Sequence, residues 1–261
     1  GHFDEKWYAE NKQITQYNRS LEAIGETQKL PKIFETYGTL SQLRADKIGD
    51  EFGFQFILKG DGTEYERIQD LKATNAALIV PITFPKAYDV SDAFTALQLP
   101  LAFMKAWELA PQNLSYLSNA EIEFAITSDG LKTEKEFYKN LQAAIDQGLT
   151  RAAAIKGLTE TPAKLIGASE MIGTLEKGKL ANFVIYSDTV FQEKTKLHAT
   201  WVNGIQHAYA PMSFFDYAGN YSLNINKEAQ FDLTLIGKGS AMKGKIAKKN
   251  DKEKVEAKVV L

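Results

Sequence analysis

Side chains that hold metals or form covalent intermediates are scarce in this sequence, and that scarcity is the first constraint on its chemistry. Of 261 residues, only His2, His198 and His207 are histidine, and there is no cysteine. Disulfides, thiolate metal sites and a cysteine nucleophile are therefore excluded. His198 and His207 read as surface or strand histidines. Asp129 stands between Ser128 and Gly130, directly after an apolar run. An Asp before Gly is also an ordinary turn or N-cap residue. The stretch Lys59-Gly60-Asp61-Gly62-Thr63-Glu64 lies between a strand-like and a helix-like segment, which is where a helix N-terminus can cradle a phosphate. It is too short for a P-loop and lacks the dinucleotide fingerprint, so it reads as an ordinary βα loop.

The elements that must position such residues follow from periodicity. Lys32–Tyr37, Phe54–Leu58, Ala76–Pro81 and Glu121–Thr127 are short apolar runs that read as strands. Between them, Leu40 to Phe52 reads as an amphipathic helix with Leu40, Leu43, Ile48 and Phe52 on its apolar face and Gly53 as its stop. Glu64 to Lys72 reads as a second helix, and helical stretches are expected around Phe103–Leu109 and Leu114–Leu117, beyond the breakers Pro85 and Pro100. Thr133 to Gln147 follows the fourth strand as a helix with Phe137, Leu141, Ala144 and Ile145 inward. Four strands alternating with helices argue for parallel βαβ units. Four units make either a small doubly wound sheet or half of a closed barrel, which needs eight. Thr83–Asp89 and Trp107–Asn113 could shape a pocket, though such segments are more often packing.

Two short helices come next: Thr150–Leu158 with Thr150 as N-cap, and Thr161–Ile166 with Pro162 in its first turn. From Gly173 the pattern turns to strands. Leu180–Tyr186, Lys196–Asn203 and Ile205–Tyr209 are expected, with Asn203-Gly204 as a hairpin turn. Tyr221–Ile225, Phe231–Ile236, Met242–Lys248 and Lys254–Leu261 read as further strands, with a turn at Lys248–Asp251. At the other end, residues 4–29 are polar and loosely helical. The sequence stops in mid-strand at Val259-Val260-Leu261, and Gly1 reads as the remnant of a cleaved tag, so a piece of a longer protein is expected.

Composition sets the outer bounds. The chain is 44% hydrophobic and 25% charged, enough for a sizeable core and incompatible with wholesale disorder. A net charge of −2 gives no electrostatic reason to expect nucleic acid or an anionic membrane. No apolar run reaches the roughly 20 residues of a membrane span, and no signal peptide is visible. Periplasmic, exported and cytoplasmic locations all stay open.

The segment Ala154-Ile155-Lys156-Gly157-Leu158-Thr159-Glu160-Thr161-Pro162-Ala163-Lys164-Leu165-Ile166-Gly167 continues into Ile172-Gly173-Thr174-Leu175-Glu176-Lys177-Gly178-Lys179-Leu180-Ala181-Asn182-Phe183-Val184-Ile185 and then into Trp201-Val202-Asn203-Gly204. This order resembles the amidohydrolase superfamily, in its imidazolonepropionase-like and dihydroorotase-like branches. There a T-x-x-P-A-K-x-x-G helix ends the barrel and a G-(T/S)-L-E-K-G-K-x-A-D-x-V-I run enters a small β-sandwich. Asn182 departs from the family's usual Asp. The resemblance implies an α/β fold: a partial TIM-type (β/α) barrel of about four βα units, a small β-sandwich and additional C-terminal strands. The corresponding division is 1–168 for the half barrel, 169–219 for the sandwich segment and 220–261 for the start of a further β domain.

The same resemblance places Asp129 at the end of the eighth barrel strand, where the family has an Asp that binds metal and acts as general base. The family's zinc or other divalent metal is held by a His-x-His pair on strand one, sometimes a carboxylated Lys on strand four, and one His each on strands five and six. Those last two positions fall near Glu35 and Lys59 here, and neither is His. No complete metal site is expected in this chain. Glu35, Lys59 and Asp129 would converge at one strand mouth, where two carboxylates and an ammonium can form an ion-pair network in place of the metal. Glu35 and Lys59, with Thr83 nearby, are expected as substrate contacts.

Three readings follow. The first is a piece of a metal-dependent amidohydrolase that cleaves non-peptide C–N bonds, such as those of cyclic amides. The second is a catalytically inactive barrel that binds a small molecule or scaffolds a larger protein. The third is a small doubly wound domain with a ligand at its sheet edge. A half barrel would expose strand edges and an apolar face. The remainder of a longer chain or a homodimer partner is therefore expected to cover it.

Overall fold

The computed structural model describes residues 27, 29–192, 195–210, 217–225, 229–237, 243–248 and 254–258. The chain separates into two compact units, Gly1–Leu180 and Ala181–Leu261.

The first unit is built on a parallel sheet of β1 (Ile33–Glu35), β2 (Ile57–Lys59), β3 (Leu78–Pro81) and β4 (Phe124–Thr127), hydrogen-bonded in that order. Sequential order is the arrangement of a barrel arc. A doubly wound sheet would reverse direction partway, so the doubly wound reading is set aside. The strands are shorter than the apolar runs suggested: Lys32, Thr36 and Tyr37 lie outside β1, and residues 54–56 outside β2. The connections carry α1 (Thr39–Phe52), a 3₁₀ turn (Glu64–Arg67) leading into α2 (Ile68–Ala73), α3 (Ala93–Gln98), α4 (Leu101–Leu109), and a second 3₁₀ turn (Ala110–Gln112) leading into α5 (Asn113–Asn119). After β4 come α6 (Glu134–Asp146), α7 (Arg151–Leu158) and α8 (Glu160–Leu165).

Local chemistry accounts for the helix ends. The Thr133 and Thr150 hydroxyls accept from the amides of Glu136 and Ala153, each at 3.2 Å, and so cap α6 and α7. Gly53 ends α1 in the left-handed region at φ 72°, where glycine has no Cβ to clash.

Strand register sorts the sheet into two faces. Leu58 pairs with Leu78, and Leu78 with Phe124. With Val80 and Ile82 these form the face under the helices, where Leu58, Leu78, Val80, Leu117, Leu141 and Ala144 are at most 1% exposed. The opposite face alternates with it: Ile33 pairs with Ile57, Glu35 with Lys59, Lys59 with Ile79, Ile79 with Ala125 and Pro81 with Thr127. This inner face is apolar below and polar at the C-terminal ends of the strands. Parallel sheets normally bury both faces. Here β1 lies at the sheet edge with Ile33 56% exposed.

Helix α1 departs from its sequence pattern. Thr39, Gln42, Ala45, Asp46 and Gly49 are its buried residues, whereas Leu40 and Ile48 are exposed. The stripe Gln42, Ala45, Asp46, Gly49 has the i, i+3, i+4, i+7 spacing of one helix face. Small and amide side chains there allow close approach: a Cβ on Gly49 would stand 2.5 Å from the Phe54 carbonyl.

The second unit is antiparallel. β5 (Phe183–Tyr186), β6 (Leu197–Val202) and β7 (Ile205–Ala208) form one sheet, with Phe183 stacked on its partner Trp201 at 5.4 Å. Asn203 and Gly204 make the expected hairpin turn, both at positive φ (51° and 80°). The Asn203 amide donates to the Asn182 side chain at 2.7 Å, so the departure at 182 retains an acceptor there. β8 (Gly219–Ile225), β9 (Ala229–Ile236), β10 (Lys243–Lys248) and β11 (Lys254–Lys258) form a second antiparallel sheet. The expected helix in residues 4–29 falls outside the described residues except for 27 and 29. The turn after Lys248 and residues 259–261 also lie outside them.

Candidate functional site at the strand mouth

Sheet register brings the sequence-derived site residues together. Glu35 and Lys59 are direct neighbours at the ends of β1 and β2, on the inner face. Asp129 lies two residues beyond β4, in phase with Thr127 of that face. The Lys59 ammonium donates to Glu35 Oε1 at 2.6 Å and pairs with Asp129 Oδ2 at 2.7 Å. The Thr83 hydroxyl donates to the Asp129 carbonyl at 2.8 Å, joining the β3 and β4 ends. The hydrogen bond to Asp129 and then that to Glu35 hold Lys59 above the usual lysine range. The hydrogen bond from Lys59 holds Asp129 below the usual carboxylate range. At neutral pH Lys59 is therefore an ammonium paired with the Asp129 carboxylate, with Glu35 at hydrogen-bond distance on its other side.

This donor set does not fit the family's metal. Zinc sites use three or four nitrogen, sulfur or oxygen ligands around the ion. Here an ammonium stands between two carboxylates at contact distance from both, and among the described residues no imidazole accompanies them. Among the described residues, no group of three or more His, Cys, Asp or Glu is arranged to hold a metal. His198 and His207 belong to β6 and β7 of the second unit.

A second feature was not legible from motifs. Glu64 is fully buried, yet its carboxylate accepts four hydrogen bonds. They come from Gln42 Nε2 (2.9 Å), Asn113 Nδ2 (2.5 Å), Asp61 N (3.1 Å) and Gly62 N (3.3 Å). Burial pushes its pKa up, and hydrogen bonds from its own amide, Asn113, Gln42 and Gly62 offset part of that shift. The loop around it is tied to its neighbours: the Thr36 amide and hydroxyl both donate to the Lys59 carbonyl at 2.8 Å, Gly60 N donates to the Ile79 carbonyl at 3.0 Å, and Gly38 N donates to Asp61 Oδ2 at 2.8 Å. Gly60 has no room for a side chain, since a Cβ would lie 1.8 Å from Glu64 Oε1 and 2.3 Å from Gln42 Nε2. The loop read as ordinary is thus a hub joining β1, β2, β3, α1 and α5. No sequence signal marked Gln42 for the interior, because the apolar periodicity of α1 points to Leu40 and Ile48 instead.

Beside the mouth, an open pocket of about 440 Å³ is lined by Ile126, Ser128, Leu131, Lys132, Phe137 and Tyr138, among others. Ile126 belongs to the helix-facing side of β4, since its side chain packs against Gly157 of α7, so this pocket is not the inner mouth. Among the described residues, no helix is long and apolar enough to cross a membrane.

Comparison with known proteins bears on the fold. The amidohydrolase family model matches residues 131–206. Imidazolonepropionase of Maricaulis maris is 27% identical over 165 residues, covering 62% of this chain and 39% of that protein. The solved amidohydrolase of Thermotoga maritima MSB8 superposes with a TM-score of 0.58 at 22% identity, over 78% of this chain and 53% of its own. A Xaa-Pro dipeptidase solved with bound methionine superposes less closely, with a TM-score of 0.49 at 16% identity. The fold is that of an amidohydrolase barrel covering part of the chain. Sequence and fold together support assignment to the amidohydrolase superfamily. The chain spans about half or less of the length of these relatives.

Proposed function

We propose that the chain is an amidohydrolase-type half barrel whose mouth binds a small ligand without a resident metal. The observation that carries this is the Lys59 ammonium held 2.6 Å from Glu35 and 2.7 Å from Asp129. An ammonium there supplies the positive charge that a metal supplies in the family, but it offers no open coordination position at which water could become hydroxide. Glu35 and Asp129 are about half exposed, and each carboxylate has lone pairs beyond those Lys59 uses. They suit a ligand rich in N–H donors, of which a cyclic amide is one, with Thr83 as a further polar contact.

Metal-dependent hydrolysis of non-peptide C–N bonds is the second reading. It is favoured by the match to the amidohydrolase family and by the position of Asp129 beyond β4, where a general base would stand. The covering of the apolar inner face belongs to the same proposal: the remainder of a longer chain or a second copy supplies it, and residues 1–168, 169–219 and 220–261 are its three parts. The deciding experiment combines calorimetric titration with hydantoin or dihydrouracil and an assay of their ring opening. Binding without turnover, weakened in Glu35→Gln and Asp129→Asn, supports the binding reading. Turnover that rises with added zinc and vanishes in Asp129→Asn supports the hydrolase.

A further inference from the structure

We propose that Glu64 is a positioning residue for the mouth: its buried carboxylate fixes the turn from Lys59 to Gly62 and so sets the reach of the Lys59 ammonium to Glu35 and Asp129. This rests on the reading of the trio as the binding site, and it assigns that site its internal support.

A carboxylate in a dry interior is costly unless its lone pairs are filled. Glu64 fills them from four directions. Two of its donors, Asp61 N and Gly62 N, belong to the turn that directly follows Lys59. The other two come from α1 through Gln42 and from α5 through Asn113. Asn113 is itself held, since its Oδ1 accepts from the Tyr65 amide at 2.8 Å. The turn is thus anchored to two helices through one side chain. On the strand side, the Lys59 carbonyl is gripped twice by Thr36, the residue after Glu35. The backbones that launch Glu35 and Lys59 are therefore fixed to each other, and both are coupled to Glu64 through Gly60 and Asp61. The absence of a Cβ at Gly60 lets the carboxylate sit directly beneath the turn. Sites whose chemical groups are held by such support keep their geometry in the absence of ligand.

The test is the rate at which an amine-directed reagent, trinitrobenzenesulfonate, modifies Lys59, read by peptide mass spectrometry at neutral pH. Exposed Lys135 serves as reference. Lys164, ion-paired with Glu123 at 2.8 Å, serves as a control for general loosening. In the unaltered chain Lys59 is expected to react at least about tenfold more slowly than Lys135, because carboxylates at 2.6 and 2.7 Å hold its amine in the protonated, unreactive form. Glu64→Gln replaces one acceptor oxygen by a donor facing donors. It is expected to speed Lys59 about threefold or more and leave Lys164 and Lys135 unchanged. Asn113→Ala, a milder change, is expected to act in the same direction and decides the matter if Glu64→Gln does not fold. Slow Lys59 labelling that stays slow in a folded variant overturns the positioning role, as does an equal rise at Lys164. Failure of both variants to hold their helical signal overturns it too, by making the network a folding requirement. Lys59 reacting as fast as Lys135 in the unaltered chain overturns the mouth reading itself, a different outcome from loss of the positioning claim alone.

Discussion

Gly60→Ala tests the hub at its tightest point. The new Cβ would lie 1.8 Å from Glu64 Oε1, where ordinary contact begins at 3.4 Å, so the carboxylate must retreat by about 1.6 Å or the turn must open. Glu64 is held by four donors on three elements, so its oxygen is not a flexible chain end that can swing aside. Losing two of these bonds, each worth about 1.5–3 kcal/mol to a charged acceptor, costs about 3–6 kcal/mol. The narrower unfolded ensemble of Ala offsets about 0.4–1 kcal/mol. A net loss of about 2–6 kcal/mol is expected. The described helices all lie in the first unit, so the helical circular-dichroism signal in a denaturant titration reports on that unit. Gly219→Ala is the control, because its Cβ would meet nothing closer than 3.6 Å. A Gly60→Ala midpoint equal to that of the control would refute the claim that this glycine is required by the buried carboxylate.

Acidity should separate the two carboxyl sites. Burial raises the Glu64 pKa above its usual 4.5, so the stability linked to it is present at acid pH and is lost as pH rises through the folded-state value. Asp129 behaves oppositely: its pKa is lowered from 3.8, so its contribution is present above that value and is lost as pH falls through the folded-state one. The stability advantage of the unaltered chain over Glu64→Gln is therefore expected to grow as pH falls toward the ordinary carboxyl value of 4.5, measured by denaturant titration at each pH. Gly130→Ala places a Cβ at φ 79° and 2.9 Å from the Thr83 hydroxyl. A loss of about 1 kcal/mol or more is expected, with faster labelling of Lys59 as Asp129 shifts. Leu30, Ile33, Tyr37, Leu40 and Ile48 are exposed, and β1 is an edge strand among the described residues. Light scattering is therefore expected to show self-association, and a clean monomer over the micromolar range would count against an uncovered half barrel.

The sequence made much of this fold legible because its signals are local. Strand runs bounded by glycine, the threonine cap at 150, and the Asn203-Gly204 turn each act within a few residues. Convergence of Glu35, Lys59, Asp129 and Thr83 was legible through the family resemblance, which fixes where strand ends meet. Helix α1 was misread because its leucines and isoleucine form an apolar stripe that periodicity assigns to the interior. The residues that actually lie inward are Thr39, Gln42, Ala45, Asp46 and Gly49. They do so because Gln42 answers Glu64, whose demand arises 22 residues later in the chain. Such a polar contact has no period and no motif. The 3₁₀ turn at Glu64–Arg67 was hidden for the same reason, since the tertiary pull on Glu64 tightens what propensity alone writes as one helix.

The central claim is that Lys59 stands where the family places a metal, and metal content tests it most directly. The purified chain is incubated with excess zinc, desalted and analysed by elemental mass spectrometry. Less than about 0.1 equivalent is expected, because two carboxylates already paired with an ammonium leave no tetrahedral ligand set. About one equivalent, lost in Asp129→Asn, would show that the mouth is a metal site and contradict the account.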